Sequence, residues 1–280
     1  MNSYGWKSIL RPIRDGFRHL FPAPDTGPTP EEREQQRQLD KLRGFTYLDS
    51  FEQLYAWTEE DSDSLQRANT PLLPRVPFPP EQNTGTANVL LCHDYAGNYH
   101  AYEASQGAGI RDELYACEYL QFVDTFVYFS HKLVCVPPPS WINSLHRNGV
   151  TVLGTLLIEP QTKDTERLLE HHGQDEEGRP CGFTVAKVLG TIADHYGFDG
   201  WLINIESQLP KETWSACALV TFLKELRSHL GQGKKVIWSV VLCFHLAPYS
   251  RKYKPNRKPT HTLLGMTHSL LPIRLITRMI

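Results

Sequence analysis

The segment FDGWLINIE, residues 198–206, is the most informative stretch of the 280-residue chain. Side chains alternate along a β-strand, so the segment has two faces. One face is apolar and consists of Trp201, Ile203 and Ile205. The other consists of Leu202, Asn204 and Glu206 and becomes polar toward its carboxyl end. The apolar face is typical of a strand that packs against helices, and the second face predicts an amide and a carboxyl group in the mouth of a barrel.

Outward from this segment, short apolar, β-branched or aromatic runs alternate with stretches of helical character. The runs are Val89–His93, Val123–Ser130, Val150–Glu159, Trp201–Glu206 and Val236–Leu242. The helical stretches are Trp141–Arg147, Val185–Tyr196 and Trp214–Leu230. Near-continuous apolar strands that alternate with helices predict parallel strands and an α/β fold, either doubly wound or closed into a barrel.

Polar residues at the carboxyl ends of these runs favour the (β/α)8 barrel, because such barrels build their active sites from those ends. These residues are His93, Asp94, His131, Glu159, Asn204 and Glu206. The first run is not followed by a G-x-G-x-x-G motif, which disfavours a nucleotide-binding Rossmann fold.

The chemistry that Asn204 and Glu206 suggest is action on a sugar. Two residues of strand rise separate their Cα atoms by about 6.6 Å, so both side chains can address one sugar ring. A carboxylic acid can protonate a glycosidic oxygen while the amide holds a neighbouring substituent. The alternative is an internally satisfied amide and a solvated carboxylate just past the strand.

The other strand-end residues leave several roles open. Glu159 paired with Glu206 would resemble an ordinary two-carboxylate glycosidase, although Pro160 indicates that the chain turns away there. His93, Asp94 and His131 are candidates for ligands or proton carriers, or for hydrogen bonds within a polar barrel rim. We expect no metal and no cofactor.

Composition and local motifs set further expectations. The sequence contains no run of about 18 apolar residues, so it predicts no membrane-spanning helix. Basic residues interrupt Met1–Ala23, so this segment lacks the apolar core of a secretory signal peptide. The six Cys form no Cys-x-x-Cys pair. We therefore expect a cytosolic protein without a disulfide framework. Ser50 with Gln53 three residues later predicts a short capped helix through Trp57.

The charge is distributed unevenly. The net charge is −2, yet no acidic residue follows Glu225, whereas ten Lys and Arg do. The segment RKYKPNRK, residues 251–258, raises the alternative of a nucleic-acid-binding arm. A solvated loop is the commoner fate of such a segment, and we expect neither nucleic acid nor membrane as a partner.

Four segments resemble glycoside hydrolase family 85, the family of the cytosolic endo-β-N-acetylglucosaminidases. They are LLCHDYAGNY (90–99), DTFVYFSH (124–131), PPPSWINSLHRNGVTVLGT (137–155) and FDGWLINIE (198–206). The resemblance runs from about Phe45 to Trp238. It implies a (β/α)8 barrel that cleaves between the two core GlcNAc residues of N-glycans, on glycoproteins or on free oligosaccharides.

The resemblance also implies a retaining, substrate-assisted mechanism. The 2-acetamido oxygen of the substrate attacks the anomeric carbon and forms an oxazoline-type intermediate. Glu206 would act as general acid and then as general base, and Asn204 would hold and polarise the acetamido group. Candidate substrate-binding residues are His93, Asp94, Tyr119, His131 and Glu159.

The chain departs from the family pattern at three places. Tyr119 and Pro160 stand where the family carries Trp, and Ser239-Val240-Val241 follows Trp238 where the family continues with Tyr-Asp-Ser. We therefore expect a largely disordered extension at 1–44, a partial barrel of about five of eight strands at 45–238, and an unrelated basic tail at 239–280 from an alternative or misassigned exon. Two functions stay open, namely glycan hydrolysis and a catalytically inactive chain that binds glycan weakly or not at all.

Overall fold

The computed structural model describes residues 28–75, 88–94, 97–104, 117, 119–207, 209–210 and 214–240. The chain divides into two compact units, Met1–Asp40 and Lys41–Ile280. Helix α1, Pro30–Leu42, begins in the first unit. It starts at a reciprocal cap, in which the Thr29 N–H donates to Glu32 Oε2 (2.8 Å) and the Glu32 N–H donates to Thr29 Oγ1 (3.2 Å). Ordered helix thus lies within the segment 1–44, whose first 27 residues fall outside the described part.

The second unit carries the remaining helices and the strands of the described residues. The helices are α2 (Phe51–Ala56), α3 (Pro139–Arg147), α4 (Thr184–Tyr196) and α5 (Ala216–Leu230). The strands are β1 (Tyr47–Leu48), β2 (Leu90–His93), β3 (Thr125–Tyr128), β4 (Val134–Cys135), β5 (Thr151–Ile158), β6 (His171–Gln174), β7 (Pro180–Phe183), β8 (Gly200–Ile205) and β9 (Lys235–Val240). Within this part of the chain, no helix is long and apolar enough to cross a membrane.

Five strands form a parallel arc in the order β2-β3-β5-β8-β9, so each strand pairs with the next parallel strand along the chain. A doubly wound sheet reverses its order at a switch point, and this arc does not. Among the described residues, the arc is therefore the singly wound arrangement of an incomplete (β/α)8 barrel, which confirms the predicted fold class. The predicted boundaries of the three segments stay a prediction. Strand β9, Lys235–Val240, runs across the predicted boundary after residue 238.

The arc has two faces, as the alternation in residues 201–206 predicts. Trp201 and Ile203 are fully buried in the main core between the sheet and the helices. The indole Nε1 of Trp201 also donates to the Leu189 carbonyl of α4 (2.9 Å). On the inner face, Val127, Leu153 and Leu202 form a second, smaller cluster.

A buried ion pair fastens α3 to the amino end of the arc. His146 Nε2 lies 2.8 Å from Asp199 Oδ2, and His146 Nδ1 lies 2.7 Å from the Thr70 carbonyl. Both nitrogens face acceptors, and this geometry favours the imidazolium form, in which both nitrogens donate. Burial alone lowers the pKa of His146, but the hydrogen bonds to Asp199 and Thr70 outweigh it and raise that pKa.

Local features of the second unit include one predicted element and two that were not predicted. Helix α2 begins at Ser50, whose Oγ accepts from the Gln53 N–H (3.3 Å), and the predicted capped helix is confirmed. The antiparallel strands β1 and β4 extend the sheet beyond β3 along the carboxyl half of β5. The hairpin β6–β7 forms a separate two-stranded sheet.

Candidate active site

Asn204 and Glu206 lie at the carboxyl end of β8, the fourth of the five described strands of the arc. Asn204 is paired between Leu157 of β5 and Ser239 of β9, and its side chain is 5% exposed. The Glu206 N–H donates to the Ile158 carbonyl (2.8 Å) and extends the ladder by one residue, while its side chain is exposed. The strand therefore places a buried amide directly below an accessible carboxylate.

The two side chains contact each other. Asn204 Nδ2 donates to Glu206 Oε1 over 2.8 Å. Asn204 Oδ1 is buried and has no hydrogen-bond partner among the described residues. A buried acceptor without a partner is costly, so this oxygen is suited to receive an N–H or O–H group from a ligand.

The rim cluster consists of Asp94, His131, Glu159 and Glu206, which follow β2, β3, β5 and β8 in turn. His131 Nδ1 lies 3.0 Å from Glu159 Oε1, and His131 Nε2 lies 3.9 Å from Asp94 Oδ2. The carboxyl ends of consecutive parallel strands thus bring these predicted site residues to one edge.

The electrostatics of the rim cluster favour a charged imidazole. The hydrogen bond to Glu159 raises the pKa of His131 most strongly, slight burial opposes it, and the negative charges of Asp94 and Glu206 add to the increase. The other oxygen of Glu159, Oε2, accepts from Gln161 Nε2 (2.7 Å). Because both of its oxygens are engaged, Glu159 is poorly placed to act as the second carboxylate of an ordinary glycosidase.

His93 and Tyr119 lie in other surroundings than the rim cluster. His93 is buried toward the helices, 3.6 Å from Glu103 Oε1 and with its ring centroid 4.9 Å from that of Trp141. Tyr119 precedes β3 in the chain, on the loop that leads into the amino end of that strand, and it is 69% exposed. Substrate binding by these two residues stays a prediction.

Sequence reasoning missed a buried polar network behind the rim. Glu103 is 4% exposed, and it accepts hydrogen bonds from the Tyr128 hydroxyl (2.9 Å), Trp141 Nε1 (3.2 Å) and the His100 N–H (2.8 Å). Burial tends to raise the pKa of Glu103, but the interactions with His93, Tyr128 and the His100 N–H outweigh it and lower that pKa. No sequence signal marks Glu103, which lies ten residues after His93, the last residue of β2.

Asn98 is a second missed residue, and it ties two strand ends together. Its Nδ2 donates to the carbonyls of His93 and Phe129, at the ends of β2 and β3. Asn98 has a positive φ of 56°, a conformation that Asn tolerates better than most residues.

The described residues contain no group of three or more His, Cys, Asp or Glu arranged to hold a metal ion.

An incomplete parallel barrel with a carboxylate and a buried amide at its rim fits the class of barrel-type glycosidases. The sequence profile of glycosyl hydrolase family 85 matches residues 99–241, which is half of the chain, and the chain belongs to that family. The match includes Asn204 and Glu206.

Curated relatives in several organisms support this assignment. A protein named cytosolic endo-beta-N-acetylglucosaminidase in Gallus gallus is 37% identical over 231 residues, which cover 80% of this chain and 29% of the relative. The protein of that name in Homo sapiens is 41% identical over 196 residues, which cover 69% of this chain and 25% of the relative. The chain therefore spans between a quarter and a third of the length of these relatives.

Among solved structures, the chain is similar to the glycoside hydrolase domain of Endo-D from Streptococcus pneumoniae R6. The sequence identity is 25% and the TM-score is 0.49, over 69% of this chain and 31% of that one.

Proposed function

We propose that this chain is an endo-β-N-acetylglucosaminidase of the cytosol. Its substrates would be the GlcNAc-β1,4-GlcNAc cores of N-glycans, on glycoproteins or as free oligosaccharides. The observation that carries the proposal is the Asn204–Glu206 contact of 2.8 Å together with the unpartnered, buried Asn204 Oδ1. Membership of family 85 and relatives named for this activity support it.

In the proposed mechanism each of these two side chains has one task. Asn204 Oδ1 accepts the N–H of the substrate's 2-acetamido group, which increases electron density on the acetamido oxygen. That oxygen attacks the anomeric carbon while Glu206 donates its proton to the departing glycosidic oxygen. The products of this step are an oxazolinium ion, whose N–H stays hydrogen-bonded to Asn204 Oδ1, the Glu206 carboxylate, and a free reducing-end sugar hydroxyl.

The second step restores the enzyme. Glu206, now a carboxylate, removes a proton from water as the water attacks the anomeric carbon and the oxazoline ring opens. Two displacements at that carbon retain its configuration. One enzyme carboxylate suffices, because the substrate's own acetamido oxygen supplies the nucleophile.

A second candidate function is glycan binding without turnover. The observation that favours it is the exposure of Glu206, because bond cleavage is favoured in a closed site that excludes water. In that case Asn204 and the rim cluster would hold glycan, but no bond would be cleaved.

The test is glycan release from a high-mannose Asn-GlcNAc2 glycopeptide by the purified chain, followed by mass spectrometry. We expect cleavage that leaves one GlcNAc on the peptide, with the rate reduced about 100- to 10,000-fold in Glu206→Gln. Glu176→Gln, at an exposed turn position between β6 and β7, is the matched control. Undiminished turnover by Glu206→Gln would contradict the assignment, and saturable binding without cleavage would support the second candidate.

A further inference from the structure

The two ring nitrogens of His131 have different surroundings. Nδ1 lies 3.0 Å from Glu159 Oε1, which is a hydrogen bond, and a carboxylate can only accept. Nε2 faces Asp94 Oδ2 at 3.9 Å, which is longer than a hydrogen bond. The Nε2 side therefore has a neighbouring carboxylate that it does not contact directly.

Exposure distinguishes one supporting residue of the rim cluster, Glu159, from the more accessible His131 and Asp94. The Glu159 side chain is 18% exposed, and its two oxygens are engaged by His131 and Gln161. Its backbone N–H also donates to Thr162 Oγ1 (3.0 Å), which fixes the turn after β5. In contrast, the His131 side chain is 60% exposed and that of Asp94 is 41% exposed. A ligand at the rim would meet His131 and Asp94, not Glu159.

The separation of His131 Nε2 and Asp94 Oδ2 suits one hydroxyl group. An oxygen placed about 2.8 Å from both atoms makes two ordinary hydrogen bonds at an angle of roughly 90°. We propose that His131 and Asp94 form a clamp for a single saccharide hydroxyl, and that Glu159 is a positioning residue that holds His131 for this contact. The proposal rests on the proposed function, because that function supplies the saccharide.

The clamp dictates the protonation of His131. A hydroxyl has one proton, and it donates that proton to the Asp94 carboxylate. It must therefore accept from His131, so Nε2 as well as Nδ1 carries hydrogen, and the ring is an imidazolium. The groups that face the ring are Asp94, Glu159 and Glu206 from three neighbouring strand ends, and Lys132 follows it in the chain. Glycan affinity should therefore fall as the pH rises through the pKa of His131.

The experiment measures binding directly, so that it does not depend on turnover. The full chain carrying Glu206→Gln is titrated with the high-mannose Asn-GlcNAc2 glycopeptide by calorimetry at several pH values. We expect His131→Gln and Asp94→Asn each to weaken binding about 10- to 100-fold, because each removes a hydrogen bond to a charged group. The double variant should be little weaker than either single variant, because one hydroxyl links both residues.

Glu159→Gln tests the positioning role. Glutamine can still accept from Nδ1, so the ring stays in place, but the negative charge that favours the imidazolium is lost. We expect modestly weaker binding at low pH and a loss of affinity that begins at a lower pH than in the parent chain. The Hε1 resonance of His131 should titrate at the same lower pH, whereas a purely structural role for Glu159 would leave this midpoint unchanged. Glu176→Gln is again the control.

The outcomes separate the clamp from the proposed hydrolysis. Unchanged affinity of His131→Gln at every pH, or no binding by the parent chain, would overturn the clamp. Clamp-dependent binding without glycan release by the wild-type chain would overturn the proposed hydrolysis and leave the clamp standing. Release by wild-type chain together with unaffected clamp variants would overturn the clamp alone.

Discussion

Replacing Glu103 by Ala removes the acceptor at the centre of the buried network behind the rim. Three donors then lose their partner, namely the Tyr128 hydroxyl, Trp141 Nε1 and the His100 N–H. A buried donor without an acceptor costs about 1–3 kcal/mol, and part of that cost is recovered where the site relaxes or admits water. We therefore expect the free energy of unfolding to fall by about 3–5 kcal/mol, the range seen when one member of a buried charged group is removed.

Urea denaturation measures this loss as a shift of the midpoint at unchanged slope. Glu103→Gln keeps the shape and one acceptor oxygen, so we expect a smaller loss of about 1–2 kcal/mol. Glu176→Ala, at an exposed position, should change stability by less than about 0.5 kcal/mol. A loss below about 1 kcal/mol for Glu103→Ala, with the slope unchanged, would refute the view that this carboxylate organises the network.

Two further predictions concern the frame of the barrel. Gly200→Ala should cost more than about 4 kcal/mol, because φ is 132° and a Cβ would lie 1.9 Å from the Lys235 carbonyl oxygen. Gly178→Ala, with φ 74° and open space, should cost only about 1 kcal/mol, and equal urea midpoints for the two variants would contradict the steric argument. The raised pKa of His146 contributes stability that is present below the ordinary histidine pKa and is lost as the pH rises through the raised value. The urea midpoint should therefore fall with pH across that window, and a parallel pH dependence in His146→Gln would contradict the assignment.

The parallel strands and their helices could be predicted because their sequence pattern is strong. Each parallel strand is a short apolar run, and helices α3, α4 and α5 lie within or close to the predicted stretches. The short antiparallel strands escaped prediction because two residues, such as Val134 and Cys135, are too few to show a period. The hairpin β6–β7 also escaped, since strand β6 consists of exposed His, Gly and Gln residues.

The site could be predicted where polar and apolar residues alternate. In β8 the contrast between Ile203 and Asn204 fixes the face of each side chain. In β2 the sequence Leu-Leu-Cys-His offers no such contrast, so His93 could not be assigned to a face. The structure shows that it shares the helix-facing side with Leu91, because Leu90 packs on the inner cluster.

The arrangement of the strand ends separates reaction from recognition. His131 follows β3 and Glu206 follows β8, with β5 between them, so the two strands lie two inter-strand spacings, about 10 Å, apart. Because the ring held by Asn204 lies over β8, we expect the hydroxyl held by His131 and Asp94 to belong to a neighbouring ring. The clamp then stabilises the bound substrate and the transition state equally, because the ring it holds does not react. Its loss should therefore weaken binding and raise KM, whereas loss of Glu206 should lower kcat.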